Sequence, residues 1–208
     1  MKALFIEARK THFEEINKEA FKELPKELFI AYSIQFKELA ERIKSVLNAS
    51  GYNIIGIQQV LGCSKLHLKQ QVPILLVGSG RFHALNLVLS TGSPIYIYNS
   101  NKIEKITERD ILALKQKKQG ALSRFLSAES IGILVSTKPG QNHFSEALKL
   151  KNRLESKKKK VYLFVSNSIS TSEFENFKID SWVNTACPGL APDNSKIINS
   201  DELSELKF

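Results

Sequence analysis

The sequence predicts an α/β fold: two small domains, each a parallel sheet flanked by helices, joined by a long helix. Three observations predict it. Short apolar runs alternate with amphipathic stretches along nearly all of the 208 residues. Runs such as Ile74-Leu75-Leu76-Val77 are continuously apolar, which marks strands covered on both faces rather than half-solvated ones. One long polar helical pattern interrupts the alternation after residue 106. It divides the chain into an α/β domain at 1–106, carrying Cys63, and a connector helix plus α/β domain at 107–208, carrying Cys187.

In order along the chain, Ala3–Glu7 reads as a strand. Thr11 is placed to cap a helix, with Glu14 completing a capping box and Phe13, Ile16, Ala20 and Leu24 on one face. Leu28–Ile34 is the next strand. A helix with Phe36, Leu39, Ile43, Val46 and Leu47 on one side follows, and Gly51 stops it. Strands are expected at Tyr52–Ile57 and Pro73–Val77, a helix from Phe82 to about Gly92, and a strand at Pro94–Tyr98. The connector spans Thr107–Ala128, with Asp110 completing its N-terminal cap. Strand Ile131–Ser136, helix His143–Glu155, strand Val161–Val165, a short helix at Ser172–Phe177 and strand Ser181–Thr185 complete the pattern. The two halves read as distant copies of one unit, although their identity is too weak to define a repeat.

Composition narrows the function classes. Apolar residues make up 42% and charged residues 25%, as in an ordinary globular chain rather than a disordered one. The longest apolar runs are strand-length, and no membrane-spanning helix is expected. Met1–Lys10 carries only four consecutive apolar residues, so no signal peptide is expected and the predicted location is cytoplasmic. The net charge of +9 invites a nucleic-acid reading, but 24 of the 30 basic residues are Lys, spread over most predicted helices. The one dense run, Lys157–Lys160, lacks interleaved aromatics and reads as a solvated connector; direct nucleic-acid binding is not expected.

Ligands of parallel α/β sheets gather beyond the carboxyl ends of the strands. Four segments fall there: Gln58–Cys63, Gly78–His83, Ser136–Gln141 and Asn184–Pro188. Each cysteine follows the third expected strand of its half, which makes their places equivalent. Taken singly, either Cys reads as a small buried hydrophobe. Cys63 and His67 lack a second pair for zinc. Gly78-Ser79-Gly80 fails the dinucleotide fingerprint, since His83 stands where its third Gly belongs, and it lacks the Walker lysine. Such a loop still offers backbone N–H groups to an anion, and Arg81 would add a fork. Lys138-Pro139-Gly140 fits a type II turn, with a ligand role for Lys138 and Gln141 as the alternative. His12 and His143 are placed at helix starts and read as solvated. Two thiols beside anion-holding loops, without a zinc set, suggest an iron–sulfur cluster, which thiolates in larger number would hold.

The chain resembles the diphthamide synthase family through Gln59–Cys63, Gly78–His83, Gly132–Gln141 and Asn184–Pro188, whose order and spacing agree over nearly the whole length. The resemblance implies a fold of three similar α/β domains, each giving one cysteine to a 4Fe-4S cluster. It implies the first step of diphthamide biosynthesis: transfer of the 3-amino-3-carboxypropyl group of S-adenosylmethionine, as a radical, to a histidine of elongation factor 2. Cys63 and Cys187 would be two of the metal ligands. Gly80, Arg81, Lys138 and Gln141 would cradle the cosubstrate, an assignment made on charge and position. The family's first domain is expected before Met1, so an N-terminal-domain fragment or a sister subunit is implied, and a dimer is expected. Gly189 stands where the family commonly has Arg, while Asp193 is retained. A non-catalytic subunit that docks elongation factor 2, or supports a sister subunit's cluster, is the alternative. An ordinary nucleotide-binding module would leave the paired cysteines unaccounted for.

Overall fold

The computed structural model describes residues 10, 12–61, 66, 68, 70–78, 80–191 and 194–204. They form two compact units, divided between Leu112 and Ala113. The expected strand at Ala3–Glu7 lies outside the described residues.

In the first unit, β1 (Glu27–Tyr32) lies between β2 (Asn53–Gln59) and β3 (Ile74–Val77), all parallel. Beyond β3 run β4 (Ile95–Asn99), parallel, and β5 (Lys102–Lys105), antiparallel, in the order β2-β1-β3-β4-β5. Successive side chains of a strand point to opposite faces, and both faces here are apolar. Leu28, Ile30, Leu75 and Val77 pack on helix α1 (Lys37–Ala49) through Leu39, Ile43 and Leu47. Phe29, Ala31, Ile74 and Leu76 pack on helix α2 (Arg81–Thr91) through Ala84, Leu87 and Val88. Burial on both sides explains why these strands read as unbroken apolar runs.

The helix expected from Thr11 to Leu24 does not form. Only a 3-10 turn at Lys18–Phe21 does, capped by the Asn17 side chain, and residues 12–17 carry no helix. The Asn101 side chain explains this locally: its oxygen accepts from Asn17 N at 2.9 Å and its amide donates to Glu15 O at 2.9 Å. Backbone groups a helix would use internally are bonded across to the β4–β5 loop. Phe21 and Leu24 are still buried. Strand β5 was not expected. Ser100 and Asn101, at φ 47° and 61°, form the two-residue loop of a β4–β5 hairpin, a turn more usually signalled by Gly.

The connector α3 (Glu108–Ser127) forms nearly as expected. Its cap is a reciprocal box: Thr107 N and Oγ1 donate to the Asp110 carboxylate at 3.0 and 2.7 Å, and Asp110 N donates to Thr107 Oγ1 at 3.3 Å.

The second unit repeats the strand order of the first. β6 (Ser130–Ser136) lies between β7 (Lys160–Ser166) and β8 (Ser181–Asn184), and β9 (Ile197–Asn199) pairs with β8, all parallel. Ile131, Ile133 and Val135 pack on α3, on α4 (Phe144–Glu155) and on Leu203 of α5 (Ser200–Ser204). The other face carries Leu134, Trp182 and Ile197 and is closed by a 3-10 turn at Thr171–Asn176 in place of the expected short helix. Gly132 admits Trp182 there, since a Cβ on it would stand 2.4 Å from the indole. β9 and α5 were not expected; at three and five residues they are too short to show a period.

The start of β6 is bonded from both sides. Asp180 accepts from Glu129 N, Ser130 N and Ser130 Oγ at 2.8–3.1 Å. Lys159 donates to the last carbonyls of the connector, Leu126 O and Ala128 O. The lysine run is thus not a uniformly solvated connector: Lys159 caps a helix C-terminus, while Lys157, Lys158 and Lys160 are exposed.

Candidate functional site

In the second unit the predicted residues gather at one sheet edge. β6 and β8 are neighbouring parallel strands with Leu134 opposite Asn184, so the loops leaving their carboxyl ends emerge side by side. The first loop is the expected turn. Gln141 N donates to Lys138 O at 3.1 Å and Gly140 sits at φ +78°, which is type II with Pro139 and Gly140 at the two central positions. Lys138 N donates to Ser136 Oγ at 3.1 Å and Thr137 N to Ser166 O at 3.0 Å, fixing the turn to the strand ends. The Lys138 side chain is exposed and Gln141 half-buried.

The second loop carries Cys187, and a buried side chain shapes it. Asn184, 2% exposed, donates from Nδ2 to Cys187 O at 2.8 Å and to Asn199 Oδ1 at 2.7 Å, while its Oδ1 accepts from Ala186 N at 3.0 Å. Leu190 N donates to the same Cys187 carbonyl at 3.1 Å, opening a 3-10 turn at Pro188–Leu190 that includes Gly189. Asn199 Nδ2 adds a bond to Pro188 O at 3.3 Å. The backbone of Cys187 is therefore held while its thiol is exposed and in no disulfide. This removes the reading of Cys187 as a small buried hydrophobe. A soft donor on a rigid, accessible loop fits a thiolate ligand to iron. The sequence singled out Cys187 and its neighbour Asn184, but not Asn199, which closes the network from β9.

The first unit gives a different picture. Cys63 lies outside the described residues, as do His67, Ser79 and Asp193. Val60, within the Gln58–Cys63 segment, is buried, and its N–H donates to Tyr32 O at 2.8 Å. Gly80, at φ +103°, caps α2 without a side-chain bond. Arg81 does not stand open: its guanidinium pairs with Glu104 and, at 2.8 Å, with Asp110 of the connector's cap. An anion at this loop would compete with two carboxylates for the fork. The bonds from Thr107, and then Arg81, hold the Asp110 carboxyl below its ordinary range. His83 is a group the sequence reading used only to reject a fingerprint. Burial lowers its pKa, which favours the neutral imidazole. His143 precedes α4, exposed and paired with Glu146 at 3.4 Å, whereas His12 is exposed but starts no helix.

The cysteines are not equivalent in the observed topology. In the shared strand order, Cys63 comes after β2, the counterpart of β7, while Cys187 follows β8, the counterpart of β3. The expected match counts Ala3–Glu7, which lies outside the described residues, as the first strand of its half.

The family model described as putative diphthamide synthesis protein matches residues 1–200. The chain belongs to this family. Among its relatives, the 2-(3-amino-3-carboxypropyl)histidine synthase of Pyrococcus horikoshii is 26% identical over 199 residues, covering 91% of this chain and 56% of that protein. That of Methanocaldococcus jannaschii is 29% identical, covering 81% and 47%. The chain thus spans about half the length of the curated relatives it matches. In fold it is similar to the crystal structure of Dph2 from Pyrococcus horikoshii, with a TM-score of 0.75 at 23% identity over 90% of this chain and 61% of that one. The same protein with a 4Fe-4S cluster gives 0.74. The parallel-sheet architecture expected from the sequence is borne out, and among the described residues no helix is long and apolar enough to cross a membrane.

Proposed function

We propose that this chain forms part of a 3-amino-3-carboxypropyl transferase acting in the first step of diphthamide biosynthesis. The proposed substrates are S-adenosylmethionine and a histidine of elongation factor 2. The single observation that carries the reading is the Cys187 loop, an exposed thiol whose backbone is held by buried Asn184 beside the Lys138–Gln141 turn, in a member of this family.

Cys187, together with Cys63, would hold a 4Fe-4S cluster. When bound, that group supplies the electron for homolytic cleavage of the cosubstrate's sulfur–carbon bond. A third thiolate would come from outside these 208 residues, which hold two cysteines, either from a further segment of the protein or from a partner subunit. The chain's own contribution is orientation. Asn184 and Leu190 N fix the direction of the Cys187 loop, and the type II turn presents Lys138 at the same edge to a carboxylate. Gln141, half-buried in that turn, would add a hydrogen bond. Gly80 and Arg81 would serve the cosubstrate from the first unit, with Arg81 released from Glu104 and Asp110. Dimer formation and a cytoplasmic location belong to the same reading.

The test compares iron bound per chain, after anaerobic reconstitution with the protein's own partners, in the parent and in Cys187→Ala. Loss of most of the iron and of product formation is expected. Unchanged iron and unchanged product in Cys187→Ala would overturn the proposal.

A further inference from the structure

A cleft of about 420 Å³ opens between α4 and α5 in the second unit, and none of the roles above uses it. It lies where parallel sheets receive ligands, since Thr185 is the first residue after β8 and Ser200 the first after β9. One wall is α4, which presents Lys149 and Arg153 four residues apart on one helix face, with Glu146 a turn earlier. The facing wall is Ser200 and Asp201 of α5.

The charges in the cleft decide what it suits. Nearby cations are satisfied internally, Lys151 by Glu155 and Lys118, at 3.1 Å, by Glu202. Lys149 and Arg153 have no ion-pair partner among the described residues. Two carboxylates share the same cleft: Glu146, 3.4 Å from His143, and Asp201, whose Oδ1 accepts from Glu202 N at 3.0 Å. A simple anion entering the cleft would meet Glu146 and Asp201, and a simple cation would meet Lys149 and Arg153. A molecule carrying both charges finds an opposite charge in the cleft for each of its own.

We propose that this cleft binds an α-amino-acid zwitterion, with its carboxylate on Lys149 and Arg153 and its ammonium toward Asp201 and Glu146. Arg153 offers the carboxylate a planar two-pronged donor and Lys149 a point charge. Two sources carry this chemistry: a free amino acid, and the methionyl end of S-adenosylmethionine. For the second source the inference rests on the transferase reading above, with Lys149 and Arg153 taking the carboxylate in place of Lys138.

The experiment follows backbone amide shifts of the full 15N-labelled chain. L-methionine is the zwitterion; acetate and methylammonium are its separated charges. L-methionine is expected to move the amides of Lys149, Arg153, Thr185, Ser200 and Asp201 saturably, with acetate and methylammonium at least about ten-fold weaker. In Lys149→Ala/Arg153→Ala, methionine affinity should fall at least about ten-fold with the melting temperature little changed, since both side chains are exposed. No shift with methionine, an equal response to acetate, or an unaffected double variant would each overturn the proposal. S-adenosylmethionine and 5′-methylthioadenosine, which lacks the amino-acid group, separate the sources. Shifts with the first alone assign the cleft to the cosubstrate. Shifts with methionine but not with S-adenosylmethionine keep the cleft for a free amino acid and sever it from the transferase reading.

Discussion

The sheets of the two units share one strand order, β2-β1-β3-β4 in the first and β7-β6-β8-β9 in the second, yet their third crossovers differ. In the first unit the chain leaves β3 through Gly78–Gly80, enters the 11-residue helix α2, and buries Ala84, Leu87 and Val88 on the sheet. In the second it leaves β8 through Asn184–Cys187 into a three-residue 3-10 turn before β9. A helix covers the sheet and turns its loop toward packing, and Arg81 accordingly pairs with Glu104 and Asp110. A short turn covers little, leaves the thiol exposed, and must be held by side chains instead, which is the work of Asn184 and Asn199. The same topology therefore yields a structural loop in one unit and an accessible donor in the other.

The largest effect expected from breaking this comparison is on packing. Each unit has a strand glycine under an aromatic ring. Gly56, on the edge strand β2, faces Phe29, and a Cβ there would come within 2.6 Å of the ring. Gly132, on the central strand β6, is hemmed by Trp182 at 2.4 Å and Phe164 at 3.1 Å. Gly132→Ala should cost about 3 kcal/mol and Gly56→Ala about 1 kcal/mol, because the overlap at Gly132 is deeper, involves two rings and lies on an inner strand, whereas β2 is an edge strand that can shift. Urea titration of both variants checks the order, and equal losses would contradict it.

A smaller effect sharpens the functional contrast. Asn184→Ala leaves the Cys187 carbonyl and Ala186 N–H short of partners, costing about 2 kcal/mol. It should also lower the iron retained by reconstituted protein. Asn99→Ala, at the exposed end of β4, the counterpart of β9 in the first unit, should leave iron retention unchanged.

The smallest effect is on acid stability. The Asp180 carboxyl is held below its ordinary value of 3.8, first by Ser130 N–H and then by Ser130 Oγ, as Asp110 is by Thr107. A depressed folded pKa means that the stability contributed is complete above the ordinary carboxylate value and is lost as pH falls through the depressed one. Below about pH 4 the parent should lose melting temperature more steeply than Asp180→Asn, which has no proton to take up there. Parallel slopes in thermal melts across that range would contradict this.

What the sequence made legible follows from what periodicity can carry. β1, β3, β4, β6 and the helices α1 to α4 bury full apolar faces, and their patterns placed them within a few residues. The helix at 11–24 had the right period, but Asn101, 84 positions beyond Asn17, bonds to the backbone it needed. No local pattern reports such a contact. β5 turns on Ser100 and Asn101 without a glycine, and β9 is too short to show a period. At the site, the type II turn and Cys187 were readable from residue types. The occupation of Arg81 was not, because Glu104 sits on the strand the sequence did not show.

The most direct test of the central claim, that this chain's cysteines hold an iron–sulfur cluster, is anaerobic native mass spectrometry of the tagged protein recovered from its own cells. The account predicts a complex carrying the added mass of four irons and four sulfurs, together with a polypeptide that supplies further thiolate. The chain recovered without cluster mass would contradict it.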